Sequence, residues 1–268
     1  MKIDLHIHTS HSFDSESSIE SVLGAASRAG LDAVAICDHD TMSATGLARM
    51  LAPDIVIIPG MELTTDRGTH IIGLFLEEEV VARDILGAMA EIHEQQGLVM
   101  IPHPYRPNTG LWHNRDRANL YSGEEIEKII SQVDLIEAVN FHSQPEEILD
   151  TDRHLRLLTA MPQGAGSDAH SIDDIGKAYV DLDCDRTDDP EDLKKALLRA
   201  PRLLRFEAYS QLEGTRTLSI TPPSPQKALM KKTREIIESI LPGSWRNSAR
   251  HPEREELGAT DSDENQEN

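Results

Sequence analysis

Apolar and polar residues alternate from Lys2 to His8, with Ile3, Leu5 and Ile7 on one side and Asp4, His6 and His8 on the other. A period of two predicts a strand. Ile19, Val22, Leu23 and Ala26 then follow at helical spacing. Ser17 and Glu20 supply a capping box before them, and Gly30 supplies the stop. The same exchange recurs along the chain. Short apolar strands are predicted at 33–37, 55–58, 69–76, 98–101, 135–139, 163–166 and 203–206. Helices are predicted at 44–51, around Ile85, Met89 and Ile92, after the Ser122/Glu125 capping box, at 153–160, and from Asp189-Pro190 through Leu198.

Strands that alternate with helices, many of them continuously apolar, predict a mainly parallel sheet covered by helices. Six or seven βα units in about 205 residues fit a closed barrel better than a doubly wound sheet. The chain then changes character. Residues 221–225 (TPPSP) form a Pro-rich joint, and Leu229, Ile236 and Ile240 mark one face of a helix ending before Pro242. From His251 onward almost nothing is apolar, which predicts disorder. The expected organisation is a catalytic domain over 1–210, a linker and helix over 211–241, and an acidic tail over 242–268.

Composition narrows the functions available. Formal net charge is −21 over 268 residues. Residues 1–210 carry 18 Lys+Arg against 37 Asp+Glu, or −19, so the acidity belongs to the predicted domain. Such a surface argues against duplex DNA, which needs a broad basic stripe. It permits a small anionic substrate if bound cations invert the local field. Two cysteines exclude a disulfide scaffold. No apolar run reaches membrane-spanning length and Met1 leads straight into a strand, so a cytoplasmic location is the expectation.

The predicted strand ends carry the chemistry. The first gives His6, His8 and, six residues on, Asp14; the second gives Asp38 and His39; then come Glu62, His103, and finally Asp168 and His170. In parallel α/β architecture such ends share one face of the protein. Residues two apart on a strand point the same way, so His6 pairs with His8 and Asp168 with His170. Imidazole with carboxylate suits Zn, Mn or Fe. This many ligands exceed one tetrahedral site and predict two or three divalent ions. Asp38 is expected to orient a ligating imidazole, and Asp38 and His170 are the candidate catalytic side chains.

The segments DLHIHTSHSFDS (4–15), AICDHD (35–40), PGMEL (59–63), IPHP (101–104), LIEAVN (135–140) and GSDAH (166–170) resemble the ordered motifs of the PHP, or polymerase and histidinol phosphatase, superfamily. The resemblance covers roughly residues 1–182. It implies a distorted (β/α)7 barrel and phosphoesterase activity, with a metal-bound hydroxide in a two- or three-metal site. By position it implies one metal on His6, His8, Glu62 and Asp168, a second shared through Glu62 with His103, and a third on Asp14, His39 and His170. In several relatives a further His near LIEAVN completes the second site. Glu137 and Asn140 occupy that region here, and His142, slightly past it, is the candidate.

Substrate contacts are expected from the Arg-rich stretch 104–119, where Arg106, Arg115 and Arg117 could grip phosphate bidentately or simply be solvated. Lys177 is a similar candidate. Tyr105 or Trp112 could stack on a base or pin the loop. His70 reads as a structural strand residue, though it could face the site, and His93 as a packed or boundary residue. His11 reads as a solvated loop residue able to reach the pocket. His113, His154 and His251 have no supporting context. The expected substrate is a small phosphomonoester, a nucleotide or a short oligonucleotide. The alternatives are an amidohydrolase-like C–N hydrolase, which shares the HxH start and the strand-end Asp, and a non-catalytic metal-stabilised binding module.

Overall fold

The computed structural model describes residues 1–207, less 53, 113–120, 157, 159 and 160, together with the backbone of 218–220. Its elements run β1 (Lys2–Ile7), α1 (Ile19–Arg28), β2 (Ala33–Ile36), α2 (Thr45–Leu51), β3 (Val56–Thr64), β4 (His70–Leu74), α3 (Ile85–Glu94), β5 (Leu98–Ile101), α4 (Gly123–Ile130), β6 (Leu135–Asn140), α5 (Pro145–Leu155), β7 (Gln163–Gly166), β8 (Ala178–Leu182), α6 (Pro190–Arg199), β9 (Arg202–Phe206) and β10 (Leu218–Ile220). The strands form one sheet in the order β10-β9-β8-β1-β2-β3-β4-β5-β6-β7.

The sheet is mixed, which corrects the mainly parallel expectation. β1-β2-β3 and β5-β6-β7 are parallel runs. β4 lies antiparallel between them. The cause is local. Thr65 N–H donates to Thr69 O across a tight turn in which Gly68 adopts φ +82°. A connection this short cannot carry a crossover helix, so the chain must return antiparallel. β8 and β9 are antiparallel to their neighbours as well.

The barrel nearly closes where β7 returns to β1. Ile7 bridges Ala169 in parallel, Asp168 N–H donates to His6 O (2.7 Å), and His8 N–H donates to Ala169 O (3.0 Å). Gly166 makes this approach possible, because a Cβ there would meet His6 Cβ at 2.4 Å and Glu137 Oε1 at 2.6 Å. Asp4 reinforces the seam by accepting from Ser167 N (2.9 Å) and Gly176 N (3.0 Å). Burial pushes its carboxyl up to about 6.

Two apolar layers support the sheet. Ile19, Val22, Leu23 and Ala26 of α1 pack on Ile7, Val34 and Ile36. A larger cluster joins Leu5, Met61, Ile72, Met89, Ile92, Met100, Ile129, Leu193 and Leu197. Each fully buried aliphatic contributes about 1.5–3 kcal/mol.

Several predicted boundaries shift. The cap of α1 is Ser18, whose hydroxyl accepts from Ser21 N; Ser17 instead donates to His170 O (3.3 Å). The helix expected at 153–160 is α5, which begins at Pro145; Glu147 accepts from Gln144 N–H (3.1 Å). A Gln cap and a weakly apolar first turn hid that start. β8 was not anticipated. β10 falls inside the stretch expected to be linker and extends the sheet along β9. The remainder of 211–241, with its expected helix, and the expected tail at 242–268 lie outside the described residues, as do Arg115, Arg117, His113 and His251. No helix among the described residues is long and apolar enough to cross a membrane.

Candidate metal centre

Burial and distance bring the strand-end residues together. His6, His8, Glu62 and Asp168 are buried, and each offers a ligand atom within 4.8 Å of the others. His6 Nε2 lies 3.1 Å from His8 Nε2, 3.1 Å from Glu62 Oε2 and 3.3 Å from Asp168 Oδ1. His8 Nε2 lies 3.1 Å from Asp168 Oδ1. Two imidazole nitrogens aimed at each other at this distance repel if both are bare and clash if both carry protons. A cation among them and the two carboxylates suits the geometry.

A second group forms on the other oxygen of Glu62. His70 Nδ1 lies 2.8 Å and His103 Nε2 2.9 Å from Glu62 Oε1, and His39 Nδ1 lies 3.6 Å from Oε2. A third group comprises His8, Asp14, His39 and His170. Asp14 Oδ2 lies 3.2 Å from His39 Nε2 and 3.1 Å from His170 Nε2, and the rings of His8 and His170 stack at 4.2 Å. This end is the open one: the Asp14 and His170 side chains are 30% and 31% exposed. Buried Nδ1 atoms of His39 and His103 lack a hydrogen-bond partner, which marks them as spare donors. The groups share His8, His39 and Glu62, so adjacent cations could share ligands.

Electrostatics follows from packing carboxylates with imidazoles. Burial opposes charge on Glu62, but His6, His103 and His70 around it hold its carboxyl well below the usual range. Burial likewise opposes charge on Asp168, and His6 and Arg106 hold it well down. Burial also disfavours protonated His8, yet Asp168 and Glu62 push it up to about 9. Burial and the nearby Arg106 push His103 down to about 4. Carboxylates this buried require positive partners, either imidazolium or a divalent cation in its place. His103 and Asp168 also adopt φ of +26° and +53°, left-handed conformations that cost on the order of 1–3 kcal/mol each and cluster at functional sites.

The structure reassigns several candidates. His142 does not join the Glu62 group; its Nε2 lies 3.3 Å from Asp174. The register of β6 shifts between Glu137 and Val139, which leaves Asn140, not a histidine, facing the centre. His70, read as structural, stands in the Glu62 group instead. Asp38 does not contact an imidazole through a hydrogen bond. It accepts from Thr9 N (2.6 Å) and Thr9 Oγ1 (2.7 Å), so it fixes the loop that follows His8. Lys177 pairs with Asp174 (3.0 Å) and lies over the Phe141 ring, and is in none of the three ligand groups. His11 bonds Ser43 (2.7 Å) and His93 bonds Asp134 (2.9 Å), both outside the centre.

Glu137 is the carboxylate that orients an imidazole. It is 1% exposed and accepts from His103 N (2.7 Å) and Asn140 Nδ2 (2.9 Å), with His6 Nδ1 at 3.1 Å. A proton on His6 Nδ1 leaves Nε2 bare toward the centre. Because all three neighbours donate, a Gln at this position would turn an amide N–H toward a donor. Glu137→Gln is expected to weaken metal retention by about 10–100-fold, measured by competition with a chelating dye. Affinity equal to wild type would show that His6 needs no such partner.

Arg106 reaches the centre from the loop after His103. Its Nη2 lies 2.7 Å from Asp168 Oδ2 and donates to Asn140 Oδ1 (2.9 Å). The loop itself is pinned. Tyr105 Oη lies 2.6 Å from His154 Nδ1, and Trp112 stacks on His154 at 4.0 Å. The aromatic pair therefore holds the loop, and His154, which had no sequence context, is the anchor. Burial pushes its imidazole down to about 4. A folded-state value below the unfolded 6.5 gives stability that is complete above pH 6.5 and lost as pH falls toward 4. Between about pH 7 and pH 5 this group is expected to cost roughly 2 kcal/mol. His154→Gln should lose that share of the acid sensitivity, read as a smaller drop in Tm; an unchanged drop would exclude His154 as its source.

Residues 4–165 match the PHP domain and residues 158–200 the PHP-associated segment, so the chain belongs to the PHP family. An uncharacterised protein of Methanocaldococcus jannaschii is 31% identical over 198 residues, spanning 72% of this chain and 75% of that one. A 5′-3′ exoribonuclease of Haemophilus influenzae is 37% identical over 78 residues, 27% of this chain and 28% of that one. A two-domain Bacteroides vulgatus protein containing a predicted PHP-like metal-dependent phosphoesterase superposes with TM-score 0.61 at 19% identity, covering 88% of this chain and 69% of that chain. The chain thus has the fold of PHP-like metal-dependent phosphoesterases and residues able to hold metal ions.

Proposed function

We propose that this chain hydrolyses a phosphate ester at a centre of two or three divalent cations. The observation that carries the reading is the overlap of three ligand groups through His8, His39 and Glu62. His6, His8, Glu62 and Asp168 would hold one cation; His39, Glu62, His70 and His103 a second; His8, Asp14, His39 and His170 a third. Imidazole with carboxylate suits Zn, Mn or Fe. Divalent cations so held lower the pKa of water and polarise phosphoryl oxygens.

The remaining side chains act directly. Arg106, paired with Asp168 at the edge of the centre, is placed to bind a phosphoryl oxygen with the guanidinium nitrogens that Asp168 and Asn140 leave free. Asn140 links Glu137 to Asp168, with its Nδ2 3.2 Å from Asp168 Oδ2, and keeps both carboxylates in place. His170, on the open end, has Nδ1 2.8 Å from the Asp168 carbonyl, which puts the ring proton on Nδ1 and leaves Nε2 bare beside Asp14 to hold the third cation. The family match and the exoribonuclease relative support phosphoester chemistry over C–N hydrolysis. A metal-supplemented panel of phosphomonoesters, nucleotides, short oligonucleotides, amides and lactones tests the reading. Phosphate release or phosphodiester cleavage, with no amide or lactone turnover, is expected. Turnover of amides alone would assign the centre to C–N hydrolysis, and metal binding without any turnover would make it a binding module.

A further inference from the structure

The open end of the centre is rimmed by an aromatic ring that neither the core nor the ligand groups require. Phe13 is 85% exposed, the most exposed large hydrophobic side chain among the described residues. Leaving a Phe in water forgoes about 1.5–3 kcal/mol of burial, so stability does not explain it. Its flanks are tied down. Ser12 N–H donates to Thr9 O (2.9 Å), and the Ser12 hydroxyl donates to Asp14 Oδ1 (2.8 Å) while accepting from His39 N (3.2 Å). On the other side Asp14 lies between His39 and His170. One face of the Phe13 ring rests on the His39 imidazole, 5.0 Å between centroids at 28°. The rest of the ring is open to solvent.

A fixed aromatic face beside a phosphate-handling centre selects for ligands with a π-face of their own. Stacking on an aromatic ring tolerates every base, whereas a sugar phosphate offers nothing to stack. A base paired inside a duplex is not free to lie there, and the net charge of −19 over residues 1–210 disfavours tracking of a long strand by this domain. We propose that Phe13 is the specificity-determining platform of this site: it stacks the nucleobase of a nucleotide, or the terminal base of a short single strand, whose phosphate sits at the His8–Asp14–His39–His170 end. The proposal rests on the phosphoesterase reading and names the substrate class for it.

The test uses Phe13→Leu, which keeps an apolar cover over His39 and removes the π-face, and Phe13→Trp, which enlarges it. Two readouts are taken on metal-loaded full-length protein. One is the ratio of kcat/KM for adenosine 5′-monophosphate to that for ribose 5-phosphate. The other is equilibrium binding of adenosine 5′-monophosphate and of a trinucleotide. In Phe13→Leu both the ratio and the binding are expected to fall about 5–100-fold, the kinetic loss residing in KM, and Phe13→Trp should restore them. If adenosine 5′-monophosphate binding depends on the ring and the trinucleotide does not, the ligand is a free nucleotide; the reverse assigns a strand end. If Phe13→Leu matches wild type in ratio and binding, or slows both substrates alike, Phe13 is only a cover for His39 and the proposal is overturned. If binding follows the ring but no phosphate is released from any ester, the platform stands and the phosphoesterase reading falls.

Discussion

Glu62→Gln is expected to lower kcat/KM on any accepted phosphoester by on the order of 10³-fold or more, because it removes the ligand that two cations would share. The reason lies in how many imidazoles depend on one carboxylate. Oε1 faces His70 and His103 at 2.8 and 2.9 Å, and Oε2 faces His6 at 3.1 Å and His8 at 3.3 Å. Gln has nearly the same shape but carries no charge and offers one acceptor, so half of these contacts become donor against ring nitrogen. Orienting residues such as Glu137 typically change metal affinity by about 10–100-fold, and a shared ligand should exceed that. The variant should also retain fewer metal ions per chain, read by elemental analysis. Full metal content with full activity would remove Glu62 from the centre.

The second large effect concerns stability. Stripping divalent cations with a chelator is expected to lower Tm by on the order of 10 °C, and adding Mn, Zn or Fe should restore it. A cation that binds only the folded chain at 1,000 times its Kd adds about 4 kcal/mol, and each kcal/mol moves Tm by about 2–4 °C in a domain of this size. The centre joins β1, β2, β3, β4, β5 and β7 through side chains otherwise held only by their own ion pairs and hydrogen bonds, so the gain should spread over the barrel. Identical melting curves with and without chelator would mean that the imidazoles alone balance Glu62 and Asp168.

The sequence made most of the centre legible because its residues lie at strand ends, and parallel strands deliver their ends to one face. His6, His8, Asp14, His39, Glu62, His103, Asp168 and His170 come together as that rule requires. His70 escaped because its strand reads as ordinary apolar alternation. A usable signal was present: the short TDRG turn between Glu62 and His70 implies an antiparallel hairpin. In that hairpin His70 lies opposite Thr64, on the face shared with Glu62 two residues before it.

His142 misled because β6 ends at Asn140: two residues past that end strand alternation no longer fixes the side chain, which turns to Asp174, while a bulge between Glu137 and Val139 brings Asn140 to the side of Glu137. Glu137 could not be found by spacing, since its partner His6 lies 131 residues away. The mixed sheet was missed for the same reason as His70, and β8 because its alternation is short and half-buried. Gly164 and Gly166 serve closure, which a predicted strand at 163–166 does not reveal: they let β7 pass against Leu5 and His6.

Metal stoichiometry measured together with phosphate release tests the central claim most directly. Cations would be removed and titrated back while bound ions per chain and turnover of a responsive phosphoester are recorded on the same samples. Activity should be absent in the stripped protein, rise with occupancy, and reach its maximum only when two or three ions are bound. Equal phosphate release from metal-free protein, or full occupancy with no release from any phosphoester, would contradict it.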